Sequence, residues 1–166
     1  IPALTLDQDM RWDLVDHIAS ATGQVALLDA ETARDATDRG ARRALAIRAG
    51  LPDAVSKRAM WDRIQSDRQT SLELLKAGIG AFHRTDQEGV LAPYAQSYLD
   101  ALPRMVERSM EFAMAFTEGM FPRYHDDAAF LTRLNEELTR SALPPALVRI
   151  LKERRDDLTR FMKIRL

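Results

Sequence analysis

The 166-residue chain reads as all-α. Apolar residues recur at three- and four-residue spacing through one segment after another, Gly and Pro punctuate those segments, and no stretch alternates apolar and polar residues over a strand's length. About nine helices follow, expected as an α-solenoid-like (HEAT/armadillo-like) stack of antiparallel helix hairpins in a single domain over residues 1–166. No residue pattern returns at a fixed period, so the hairpins would be alike in shape and not in sequence.

Met10, Leu14, Val15 and Ile18 give the first helical stripe, closed by Gly23, and Val25 and Leu28 mark a short second helix running toward Asp35. The segment from Ala33 to Ile64 then spells two helices with a stop and a restart between them. Thr37 or Asp38 caps the first by accepting a backbone N–H, Gly50 supplies a left-handed C′ residue, and Pro52 opens the second where no N–H is needed. The second buries Met60, Trp61 and Ile64. Leu72, Leu75, Ile79 and Phe82 mark a fifth helix, expected to be central, with Gly78 and Gly80 allowing a neighbour to approach closely.

Leu91, Tyr94, Tyr98 and Leu102 make the next stripe, in which Pro93 either kinks the helix or starts it. Pro103 is expected to begin a longer helix with Met105, Phe112, Phe116 and Met120 inward, ended by Gly119 and Pro122. Phe130, Leu131, Leu134 and Leu138 follow, with Asp126 as the N-cap or first turn. Ser141 and Leu143-Pro144-Pro145 break the chain before a final helix holding Leu147, Ile150, Leu151, Leu158 and Met162.

Composition bounds function by exclusion. Lys plus Arg (24) nearly cancel Asp plus Glu (25), which gives no global reason to bind nucleic acid or an anionic membrane. The lack of cysteine removes disulfides, thiolate zinc sites and thiol catalysis, and is compatible with a reducing, cytoplasmic location. No run approaches the roughly 20 apolar residues that span a bilayer. The first residues are Ile1 and Pro2, which suggests a processed protein or a piece of a longer one.

Chemical motifs are mostly missing. His17, His83 and His125 are far apart in sequence, and no His-Glu-x-x-His pair exists to hold zinc. His17, four residues after Asp13, reads as a surface hydrogen bond, and His83 near a helix end as a cap of the last carbonyls. Arg123, Tyr124 and His125 read as a connector after Pro122. Asp126-Asp127 and Glu136-Glu137 are sequence neighbours, which on a helix point about 100° apart and cannot share a ligand. There is no Gly-x-Ser-x-Gly elbow and no phosphate loop. Met60, Met105, Met110, Met114 and Met120 read as core filler, and Lys152 to Asp157 as a solvated helix face with ion pairs.

One local charge asymmetry stands out. Arg34, Arg39, Arg42, Arg43, Arg48, Lys57 and Arg58 crowd the Ala33–Ile64 hairpin, against Glu31, Asp35, Asp38 and Asp53. Solvated helix surface explains them, as would a patch that meets a peptide carboxylate or an acidic neighbouring domain. Nucleic acid is disfavoured because no aromatic residues interleave with the basic ones.

Several short motifs carry a family likeness. Arg11-Trp12-Asp13-Leu14, Ala33-Arg34-Asp35, Ala46-Ile47-Arg48-Ala49 with Pro52, and Lys57 with Trp61 open it. Gly80-Ala81-Phe82, Gln87, Leu91-Ala92-Pro93-Tyr94 with Tyr98, and Leu102-Pro103 continue it. Leu143-Pro144-Pro145-Ala146-Leu147 through Arg149, Glu153, Arg155, Asp156 and Arg160 close it. Together they resemble the C-terminal helical domain of actinobacterial-type aminopeptidase N, a zinc metallopeptidase family whose C-terminal domain is of the endoplasmic-reticulum-aminopeptidase kind.

That resemblance implies a curved stack of helix hairpins covering a catalytic cavity built by other domains of the same polypeptide. The zinc motif and the Gly-x-Met-Glu-Asn substrate motif of the family have no counterpart here, so no catalytic and no metal residue carries over. Zinc is expected in the parent's catalytic domain and no cofactor in this chain. Its implied partners are that catalytic domain and the C-terminal portion of a peptide substrate, with neither nucleic acid nor membrane. Arg42 and Arg43 are the candidates for substrate contact. A free-standing helical-repeat adaptor, and a small hydrolase built from the scattered His, Asp and Tyr residues, are the other readings.

Overall fold

Side-chain oxygens set where several helices begin. In the computed structural model, which describes residues 6–125, 127–140 and 142–165, Asp7 accepts from Met10 N at 2.8 Å, Thr37 from Gly40 N at 3.1 Å, and Asp53 from Ser56 N at 2.8 Å. Ser71 and Ser109 do the same for Leu74 and Phe112. Each bond satisfies an N–H that the first helical turn leaves without an intrahelical partner. The resulting helices are α1 (Gln8–Thr22), α2 (Ala26–Arg34), α3 (Asp38–Gly50), α4 (Ala54–Ser66), α5 (Leu72–Ala81), α6 (Glu88–Val106), α7 (Met110–Gly119), α8 (Ala128–Arg140) and α9 (Pro145–Arg165). Among the described residues there is no strand.

The helices contact in a regular order. α1, α3, α5, α7 and α9 touch in succession, and α4, α6 and α8 do likewise, with short connections crossing between the two series. This is the neighbour order of a stack of helix hairpins. The α3–α5 contact is the most extensive, so α5 is as central as its sequence suggests. Two apolar clusters result. Trp12, Val15, Ala19, Leu28, Ala44, Ile47 and Leu51 form the smaller; the larger runs from Leu45 and Ala49 through Trp61, Phe82, Tyr98 and Phe116 to Leu158. α3 lies between them, giving Ala44 and Ile47 to one and Leu45 and Ala49 to the other. Burying one such Leu or Phe contributes about 1.5–3 kcal/mol.

Several expectations need correction. The buried face of α1 is Trp12, Val15 and Ala19, while Met10 and Leu14 stand about half exposed. Two stripes are available on that helix, and the indole decides between them because its Nε1–H reaches Asp35 at 2.8 Å. Gly50 is not left-handed: it is the last residue of α3, and Gly23 is the positive-φ glycine. A Cβ at Gly50 would fall on the Arg84 guanidinium, so close approach, not backbone freedom, calls for glycine there. Pro52 precedes the α4 N-cap Asp53 and is outside the helix.

Pro103 does not begin a helix. α6 runs through both Pro93 and Pro103, and the next helix starts at the Ser109 cap, so Met105 belongs to α6. The pyrrolidine of Pro103 sits in the last stretch of an existing helix, at the cost of a single backbone bond. Gly78 does let a neighbour in, since a Cβ there would meet the Met60 methyl, whereas Gly80 faces open space. Met60, Met105 and Met120 are core residues, but Met110 and Met114 are exposed on α7. Asp13 pairs with Arg43 at 3.2 Å and leaves His17 an exposed side chain. The capping role read for Asp126, and the break at Ser141, lie outside the described residues; Asp127 Oδ1 accepts from Ala129 N at 2.8 Å.

Candidate functional site

The α3–α4 hairpin carries less free charge than its sequence suggests. Arg39 pairs with Asp9 at 2.6 Å, Arg43 with Asp13 at 3.2 Å and Arg48 with Asp29 at 2.5 Å, so acids of α1 and α2 cover the arginines of α3. Arg58 pairs with Asp62 one turn on. Arg34 and Arg42 are exposed. Arg42 helps hold the Glu73 carboxylate below its ordinary range, after the larger effects of Lys76.

Lys57, counted with those surface cations in the sequence, is fully buried. Its Nζ donates to Ala49 O at 2.8 Å and Phe82 O at 2.6 Å, and lies 5.1 Å from the centre of the Phe82 ring. Those carbonyls belong to the C-terminal ends of α3 and α5, where the helix dipole favours a cation. Burial, and then the charge of Arg84, lower the amine to about 8. A signal was present in the sequence: Lys57 is in phase with Met60, Trp61 and Ile64, at the spacing of the buried face of α4.

Around this lysine the connection from α5 to α6 is bound to the N-terminal helices. Arg84 donates to Ser20 Oγ at 2.6 Å and Asp16 Oδ1 at 2.8 Å, and Gln87 Nε2 donates to Gly50 O at 2.9 Å. Asp35 is fixed in the same way at the end of α2. The Thr37 hydroxyl, followed by the Trp12 indole, keeps its carboxyl well below the usual carboxylate range.

The loop after α7 connects it to α8 and also lines a cleft. Tyr124 and His125 come together with His83, Glu88, Leu91 and Pro122 around a cleft of about 280 Å³. His83 Nε2 donates to Met120 O at 3.0 Å, so this imidazole does cap a helix, but the helix is α7 and not its own. Burial lowers it to about 4, so it is the neutral ring that fills this role. His125 Nε2 lies 3.6 Å from Asp127 Oδ2, and Tyr124 meets Phe161 edge to face at 6.0 Å. The cleft wall holds neither serine nor cysteine. Among the described residues no three His, Cys, Asp or Glu side chains are grouped to hold a metal ion, so the donor set does not fit zinc. Such a wall can bind by hydrogen bonding and ring contact.

Residues 2–160 match the ERAP1-like C-terminal domain. The chain belongs to that family. It is also 30% identical over 166 residues to aminopeptidase N of Streptomyces lividans, an alignment that takes in 98% of this chain and 19% of that protein. This ERAP1-like domain thus spans about a fifth of the length of the curated relative it matches. Among its described residues no helix is long and apolar enough to cross a membrane.

Proposed function

We propose that this chain is the noncatalytic C-terminal domain of a zinc aminopeptidase, where it covers the active-site cavity and limits or orients the peptides whose N-terminal residues the parent removes. The observation that supports this reading most directly is the family match over nearly the whole chain together with its partial coverage of a much longer aminopeptidase N. The zinc and the peptide-cleaving groups would be carried elsewhere in the polypeptide. The partners are then the catalytic domain of the same polypeptide and the C-terminal portion of the bound peptide.

Arg42 and Arg43 are the proposed substrate contacts. Arg42 is exposed, and Arg43, its neighbour on α3, is paired with Asp13 at 3.2 Å. An exposed guanidinium can receive a peptide carboxylate bidentately. The test is kinetic: peptides of graded length are offered to the full-length enzyme with Arg42→Ala and Arg43→Ala. Raised KM with kcat little changed, greatest for the longer peptides, is the expected result. Unchanged length preference would remove the two arginines from the site. Zinc-dependent release of an N-terminal residue by this chain alone would overturn the noncatalytic reading itself.

A further inference from the structure

Where α4 leads into α5, beside the start of α7, a cleft of about 210 Å³ collects positive charge with no acid in its wall. Arg68, Thr70, Arg108, Ser109 and Phe112 line it. Arg108 is held in place: its Nη1 and Nη2 donate to Ile64 O and Asp67 O, each at 2.6 Å, and its guanidinium lies 3.6 Å over the Phe112 ring. These bonds use one N–H from each Nη and leave the rest of the fork unspent. Arg68 is exposed and has no hydrogen bond or ion pair among the described residues. Ser109 Oγ accepts from Phe112 N at 3.1 Å, which leaves its own proton to give.

The acids on the adjoining segments are engaged or turned away. Asp67 is occupied by Arg63, the Thr70 hydroxyl and the backbone N–H groups of Gln69 and Thr70. Glu111 pairs with Lys76 at 2.7 Å, and Glu107 is exposed and outside the cleft wall. The two guanidiniums therefore face each other's charge. Burial, and after it the charge of Arg68, push the Arg108 pKa down, and the charge of Asp67 only partly opposes them.

We propose that this cleft binds a phosphate group. Two guanidiniums in a wall without acids match a phosphate dianion in charge, and donors arriving from Arg68, the Arg108 fork and the Ser109 hydroxyl suit a tetrahedral oxyanion. A planar carboxylate would be served by one guanidinium alone.

Titration calorimetry of this chain with inorganic phosphate, glycerol phosphate and acetate, at one fixed ionic strength, tests the site. Saturable phosphate binding is expected, at least tenfold tighter than acetate, weakened at least tenfold by Arg68→Gln and unchanged by Arg34→Gln on α2. Arg68 is exposed, so Arg68→Gln leaves the fold intact, which far-UV circular dichroism verifies. Glycerol phosphate binding as tightly as the free ion identifies the ligand class as a phosphomonoester, and its failure beside a binding inorganic ion restricts the site to free phosphate. Acetate binding as well as phosphate, or an Arg68→Gln protein binding as the native one does, overturns the proposal.

Discussion

The amine of Lys57 lies 2.6 Å from the carbonyl oxygen of Phe82, although 25 residues separate them in sequence. With its second bond, to Ala49 O, this side chain closes the ends of α3 and α5 at once. Lys57→Met retains the length of the stem and removes both bonds, leaving two buried carbonyls without a donor. A loss of about 2 kcal/mol in urea-measured stability is expected. Arg58→Met, one position on at an exposed ion pair, should cost well under about 1 kcal/mol. Equal effects of the two substitutions would mean that the buried amine is not what joins these helix ends.

Two glycines should respond in opposite senses to alanine. A Cβ at Gly40 falls on the backbone oxygen and carboxyl of Asp35, which the Trp12 and Thr37 bonds prevent from moving. Gly40→Ala is expected to destabilise by roughly 2 kcal/mol or more. Gly80, inside α5 with nothing near its missing Cβ, should gain about 0.5–1 kcal/mol on becoming alanine. Thermal unfolding of both variants reads the difference directly.

Acid should act through His83. The unfolded chain takes up this proton near 6.5 and the folded chain only near 4, so between those values the unfolded state binds more protons. The stability contributed by the neutral ring is complete above about pH 6.5 and falls as pH drops toward 4. With a discount for partial exposure, about 2 kcal/mol is at stake. His83→Leu should flatten that part of the profile relative to the native chain, and an unchanged acid slope would exonerate the residue. Lys57 follows the same sign in alkali, its term rising from about pH 8 toward 10.5 and vanishing in Lys57→Met.

Arg84 fastens the N-terminal hairpin to the rest. Apart from their packing on α3 and the ion pairs they make with its arginines, the described helices α1 and α2 are joined to the body by the bonds from Arg84 to Asp16 and Ser20. Arg84→Met should cost about 1 kcal/mol. In hydrogen exchange the loss should appear first in α1 and α2, with α5 to α9 keeping their protection. Uniform loss throughout would show a single cooperative unit.

Helix extents were legible wherever a capping side chain and an apolar period agree, as at Thr37, Asp53 and the Leu75–Ile79–Phe82 stripe of α5. Legibility failed where one residue type serves two purposes. Lysine normally marks surface, so a buried Lys57 is disguised by its own chemistry, and the α1 stripe is ambiguous until Trp12 has Asp35 to bond. Gly50 reads as a turn residue because sequence does not show that Arg84 will pack on it. The His83, Tyr124 and His125 cleft joins segments some 40 residues apart, beyond any local pattern.

The acids covering α3 also give this domain a charge that depends on its posture. Asp9, Asp13 and Asp29 sit on α1 and α2, and the arginines they mask sit on α3. These pairs are solvent-exposed, so added salt weakens them while the apolar contacts beneath persist. Lifting the first two helices would uncover Arg39, Arg43 and Arg48 together and turn an electrically quiet surface into a cationic one. The chain thus folds its own counterions over the arginines of α3.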